Sequence, residues 1–227
     1  MKIIVIKIGF VFLLMGLSVI TCAQNSIGFS IGYNIPTGGF GAPVTKDIVH
    51  QDLYGSANAG MGITILYRYQ LKNKLTLGVI TSLNHFEAQT FKFSDHFAFM
   101  NAPDITGKFW VIPLVLSLEY HLTYKRFEPY AGVQLGTVYT RCNYTVDQLY
   151  SSKGIPTEYI ASELGLVGGF VLGCAIKKSD KTSFYISNSF LKGTNKHLFD
   201  KNAKDFNTGF KASEFIAFNI GLIQHLK

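Results

Sequence analysis

Ser82, His85 and Glu87 stand within six residues of one another, and Asp95 and His96 follow shortly after. A serine, a histidine and a carboxylate are the parts of an acyl-transferring nucleophile, in which the imidazole takes the hydroxyl proton and the acid orients the ring. His85, Glu87, Asp95 and His96 are also metal-ligating residue types. Neither chemistry follows from the spacing. In an extended chain Ser82 and His85 point to opposite faces, because parity alternates at every residue. No compact nucleophile motif surrounds Ser82, and no ligand spacing characteristic of a metal site links the four metal-ligating candidates. The sequence therefore predicts no catalytic residue, no metal ligand and no cofactor.

Three further charged residues fall inside apolar stretches: Arg68, Glu119 and Glu163. What surrounds them decides their meaning. From Ser26 to Ile35 the chain alternates strictly, with Ile27, Phe29, Ile31, Tyr33 and Ile35 against Ser26, Gly28, Ser30, Gly32 and Asn34. One face is oily and the other small and polar. That is the pattern of a lipid-facing barrel strand, apolar outward and polar toward a narrow, wet lumen.

The pattern recurs near Asn58–Tyr69, Leu75–His85, Phe109–His121, Pro129–Thr140, Ala161–Ile176, Ser183–Leu191 and Ser213–Leu226. Most of these stretches have about the ten residues that a tilted membrane strand requires. The fold class expected is all-β, an eight-stranded antiparallel up-and-down transmembrane barrel. Parity turns Arg68, Glu119 and Glu163 into the lumen, where they are expected to form a polar network that fills a barrel too narrow to conduct. Parity also makes Gly62 an inward position, at which a serine is expected to cost far less than an arginine at the outward Ile63 or Leu166.

Short polar connections, Gln70–Lys74, Leu122–Glu128 and Lys177–Thr182, alternate with long ones, Thr37–Ala57, Phe86–Lys108, Arg141–Ile160 and Lys192–Ala212. Such alternation is the outer-membrane arrangement, with tight turns in the periplasm and long loops outside, so both termini are expected in the periplasm. Tyr33, Trp110 and Tyr139 fall at one end of their strands, and Tyr67, Tyr69 and Tyr120 at the other. Amphipathic rings gather at headgroup level in two such belts.

Residues 1–23 have the form of a cleaved secretory leader: Lys2 and Lys7, the apolar run Ile8–Ile20, then Thr21-Cys22-Ala23. One barrel domain is expected over residues 24–227. Removing the leader takes two lysines and no acid from a formal charge of +7, so the remainder stays basic. The lysines cluster in connections, at Lys177, Lys178 and Lys181 and at Lys192, Lys196, Lys201 and Lys204, which is ordinary solvated-loop chemistry. Nothing resembles a nucleic-acid-binding motif. Cys142 and Cys174 would lie roughly 30 Å apart in height at strand rise. Since bonding needs Cα atoms within about 7 Å, both are expected as thiols, Cys142 at the rim and Cys174 facing lipid.

The segment Trp110-Val111-Ile112-Pro113-Leu114-Val115-Leu116-Ser117-Leu118-Glu119-Tyr120, followed after a short turn by Glu128-Pro129-Tyr130-Ala131-Gly132-Val133-Gln134-Leu135-Gly136, resembles the central hairpin of Bacteroidetes PorT-like outer-membrane barrels. These are similar in architecture to OmpA and OmpX. The resemblance implies an eight-stranded barrel in a Gram-negative outer membrane and carries over no catalytic motif. The end of the chain, Gln224-His225-Leu226-Lys227, departs from the terminal aromatic usual in that group.

Function is then expected at the loops. The second is rich in aromatics, with Phe86 before Phe91, Phe93, Phe97 and Phe99. Shared parity of Phe91 with Phe93, and of Phe97 with Phe99, suggests that the third and fourth strands continue beyond the membrane as a protruding sheet. Phe91, Lys92, Phe93, His96, Phe97 and Phe99 are the candidate interaction loop, since exposed aromatic area is usually covered by a partner. The expectation is a structural or surface-interaction (adhesion or partner-binding) barrel, a monomer and no open porin. Outer-membrane lipid or lipopolysaccharide would surround it, with an extracellular or envelope protein as partner. A lipid acyl hydrolase or transferase and a soluble, lipocalin-like periplasmic binder are the alternatives of other classes.

Overall fold

The structure, a computed structural model, describes residues 25–41, 57–72, 74–88, 105–146, 158–194 and 213–226. Eight strands follow one another: β1 (Asn25–Pro36), β2 (Gly60–Lys72), β3 (Leu75–Glu87), β4 (Ile105–His121), β5 (Phe127–Val146), β6 (Glu158–Lys177), β7 (Thr182–Thr194) and β8 (Glu214–Leu226). Each pairs antiparallel with the next, and β8 pairs back onto β1, closing the barrel. Closure leaves the strands that form the ring without a free edge, which is the condition for strands to cross lipid.

The two ends of the barrel differ. One carries the tight connections β2–β3, β4–β5 and β6–β7 and is called here the turn end. The other carries the long connections and is the loop end. At the β4–β5 turn, Tyr124 and Phe127 exchange both backbone hydrogen bonds, at 2.8 and 2.9 Å, around Lys125-Arg126. Lys125 takes a positive φ of 54° there, the left-handed conformation that two-residue hairpins demand.

The alternation places its apolar members outside on every strand. Ile63 is 47% exposed, Leu116 57% and Leu166 61%. Water would not tolerate such a belt, and acyl chains cover it at no cost. Tyr33, Trp110 and Tyr139 ring the loop end, and Tyr120 and Tyr124 stand exposed at the turn end.

Several strands run further than the alternation predicts. β4 has 17 residues, and β5 and β6 have 20 each. Their pairing continues to Ile105↔Val146 and Thr145↔Glu158. Among the described residues the extension at the loop end is β4–β5–β6, and the residues that would continue the third strand beyond Ala88 lie outside them. Polar residues such as Asn143 and Thr145 hide it from a hydrophobic pattern, because no bilayer selects for apolar side chains there. β3 reaches Glu87, and Phe91–Met100 lie outside the described residues.

The lumen is also drier than expected. Its loop-end half is an apolar core in which Phe40, Phe86, Phe109, Val111, Val115, Cys142, Val167 and Phe215 are buried. Phe40, just past β1, sits with ring centroids 5.3 Å from both Phe86 and Phe109, edge to face. Phe86 belongs to this inward cluster and not to the loop that follows. Cys142 is likewise buried in the cluster and is no rim residue, and no disulfide joins it to Cys174. An eight-stranded ring leaves room only for side chains, so phenyl rings fill it as well as polar groups do.

Candidate functional site

Charge gathers inside the barrel at the turn end. The last residues of β2 and β4 and the first of β5 lie side by side there, because tight turns hold their register. Arg68 Nε lies 2.9 Å from Glu119 Oε2, and both side chains are almost wholly buried. Ser117 Oγ donates to Glu119 Oε1 at 3.0 Å. His121 sits between two carboxylates, Nε2 at 3.1 Å from Glu119 Oε2 and Nδ1 at 2.9 Å from Glu128 Oε1. Only the doubly protonated ring has a donor for each. With His121 protonated, two cations face two anions and the charges of the cluster balance.

Aromatic rings hold the cations in place. The Arg68 guanidinium lies 4.4 Å from the centre of the Tyr130 ring, and His121 stacks on the same ring at 5.0 Å. Tyr185 contributes a second ring at 5.9 Å. Tyr130 has this space because residue 173 is glycine: a β-carbon there would collide with the phenol. Gly132 does the same beside the Glu119 side chain. Leu66, Ala175 and Ile223 pack with Tyr185 and seal the cluster from above.

Midway up, Asn34 Nδ2 donates to Asn84 Oδ1 at 3.0 Å, and Asn84 Nδ2 donates to the Val111 carbonyl at 3.1 Å and to Ser82 Oγ at 2.8 Å. Gly62 opens the gap that these two amides occupy. A β-carbon at Gly62 would meet the ends of both amide side chains, so a serine there requires them to shift. From turn end to loop end, the described lumen thus passes from ion pairs to amides to phenyl rings.

The predicted site residues divide accordingly. Arg68 and Glu119 meet directly. Glu163 is paired in register with Thr140 toward the loop end, far along the barrel from both. Ser82 points inward to Asn84, while His85 points outward and lies 4.6 Å from the Trp110 ring. Ser82 and His85 are therefore on opposite sides of the barrel wall, and this arrangement cannot pass a proton from one to the other. Asp95, His96 and the loop residues Phe91, Lys92, Phe93, Phe97 and Phe99 lie outside the described residues. His121, Glu128 and Tyr130 went unsuspected in sequence because they flank a turn. The available signal was parity: His121 and Tyr130 share the inward face with Glu119 and Gly132.

No family model matches the chain, and no curated protein matches it. Solved structures do resemble it. Neisserial surface protein A superposes with a TM-score of 0.50 at 13% identity, covering 91% of this chain and 99% of that one. The outer membrane protein OprG from Pseudomonas aeruginosa gives 0.49 at 14% identity, over 90% and 96%. Ail, the attachment invasion locus protein of Yersinia pestis, gives 0.43 at 13% identity, over 89% and 96%. At such identities the likeness is one of fold: this chain is an eight-stranded closed antiparallel barrel.

Proposed function

We propose that the chain is an integral outer-membrane barrel, PorT-like in type, that is exported by the leader at residues 1–23 and works through its loop end as a surface-interaction protein. The loop end then faces outside and the termini the periplasm. The observation that carries this reading is the packed lumen. An ionic cluster lies toward one end of the described lumen and an aromatic core toward the other, and with these side chains filling the interior, function passes to what the barrel displays. The exterior argues against a soluble binder, which would keep its apolar residues inside. With Ser82 and His85 on opposite faces of the wall, nothing in the described residues favours an acyl hydrolase.

The displayed surface includes the β4–β5–β6 extension. Among the described residues, β7 pairs with β6 as far as Leu166↔Thr194, and β5 pairs with β6 on to Glu158. The loop Phe91–Met100 would supply the apolar anchors of that surface.

Two measurements test this. In planar bilayers the folded protein should show no porin-like conductance. Replacing Phe91–Met100 by a Gly-Asn turn should leave the heat-modifiable folded band intact, because loop length costs little, and should abolish binding of intact cells to host or envelope proteins. A steady open-pore conductance, or a trimmed protein that folds and keeps every interaction, would overturn the reading.

A further inference from the structure

Asn188 occupies the seventh position of the 13-residue strand β7 and faces outward, exposed, in line with Phe184, Ile186 and Phe190. Its neighbours across the sheet are Leu172 on β6 and Phe218 on β8. At the middle of a membrane strand, this carboxamide points at acyl chains. No described residue hydrogen-bonds to it. Thr81, likewise outward and mid-strand on β3, is satisfied by the carbonyl of Pro113. Among the described residues, Asn188 is an outward mid-strand carboxamide without an internal partner.

Asn188 also lines a groove of about 720 Å³ on the barrel exterior, walled by Ile31, Tyr33, Leu172, Ile186, Phe218 and Ile220. We propose that this face, centred on Asn188 of β7, is where a second copy of this chain docks within the membrane, in place of the monomer that the sequence suggests.

The occupant follows from chemistry and depth. A hydrocarbon chain has no donor or acceptor to offer. A partner must bring a polar group to the same height in the bilayer. Two copies inserted in the same direction and related by a two-fold axis along the membrane normal place residue 188 at equal depth. A carboxamide carries both an acceptor oxygen and N–H donors, so two Asn188 side chains complete each other reciprocally. Lipid releases its chains from the groove while apolar walls meet, and the amide pair adds the directional contact. This inference is independent of the surface reading above.

The test uses the full chain folded in phosphatidylcholine bilayers. Asn188→Cys, in a background carrying Cys174→Ala, should form an intermolecular disulfide under mild oxidation. Val79→Cys, outward on β3 across the barrel, should not. Energy transfer between donor- and acceptor-labelled copies, diluted with lipid, should show dissociation at least tenfold easier for Asn188→Leu and near-native association for Asn188→Gln. Heat-modifiable migration checks that each variant is folded, and a leucine facing lipid should not impair folding. Equal cross-linking at positions 79 and 188, or unchanged energy transfer in Asn188→Leu, would overturn the proposal and leave lipid as the groove's occupant.

Discussion

Thr81 Oγ1 donates a 3.0 Å hydrogen bond to the carbonyl of Pro113 across the β3–β4 ladder. The ladder is interrupted here: pairing runs to Thr81↔Leu114 and resumes at Asn84↔Val111. Proline has no N–H, so its position opposite β3 cannot complete the exchange of bonds. The threonine hydroxyl gives the Pro113 carbonyl a donor within the gap, and in doing so removes its own polar group from lipid.

That relationship gives the first prediction. Thr81→Val keeps the shape and removes the donor, leaving a carbonyl unpaired at a cost of about 1–3 kcal/mol. Thr81→Ser should stay within a fraction of that. Urea unfolding in vesicles distinguishes them, and equal midpoints would mean that the bond contributes nothing.

Arginine at Ile63 or Leu166, both outward and exposed, should cost about 2–4 kcal/mol if they lie near mid-bilayer. The inward comparison is Thr64→Ser, which keeps a small polar group in the lumen and should cost well under half as much. Gly62→Ser should instead be expensive, because its new atoms meet the Asn34 and Asn84 amides. A freely tolerated Gly62→Ser would contradict the packing of this row.

Glu119→Gln removes one anion from the turn-end cluster and leaves Arg68 buried without its charge partner. Breaking a buried pair on one side costs about 3–5 kcal/mol. Joining it to Arg68→Met should recover much of the loss, since Arg68 is then no longer a buried charge stranded without its partner. Additive losses in this double-mutant cycle would show that Arg68 and Glu119 do not act as a unit.

Cys142 and Cys174 should both titrate as thiols in the denatured, leaderless protein without reductant. In the folded protein a water-soluble maleimide should not reach Cys142, which is buried among the lumen aromatics. Rapid labelling of folded Cys142 would place it outside the barrel. Absence of thiols before reduction, with two afterwards, would break the register of β5 and β6.

Strand number, strand order and the outward face of every strand could be read from the sequence, because side-chain parity is a local property with a period of two. Ile31, Ile63, Leu116 and Leu166 declare their side within a few residues. The inward direction of Arg68 and Glu119 follows from the same rule. Their meeting at 2.9 Å does not, since it depends on the register between β2, β3 and β4, and on a ring narrow enough to bring opposite walls together. His121 and Glu128 join them only because a two-residue turn fixes one strand against the next. Phe40, Phe86 and Phe109 are far apart in sequence and in loops or strand ends by pattern, and closure of the barrel turns them into one plug. Local alternation determined what faces lipid; only ring closure decided which inward residues touch, because contact across a lumen is a property of the closed sheet and of no single strand.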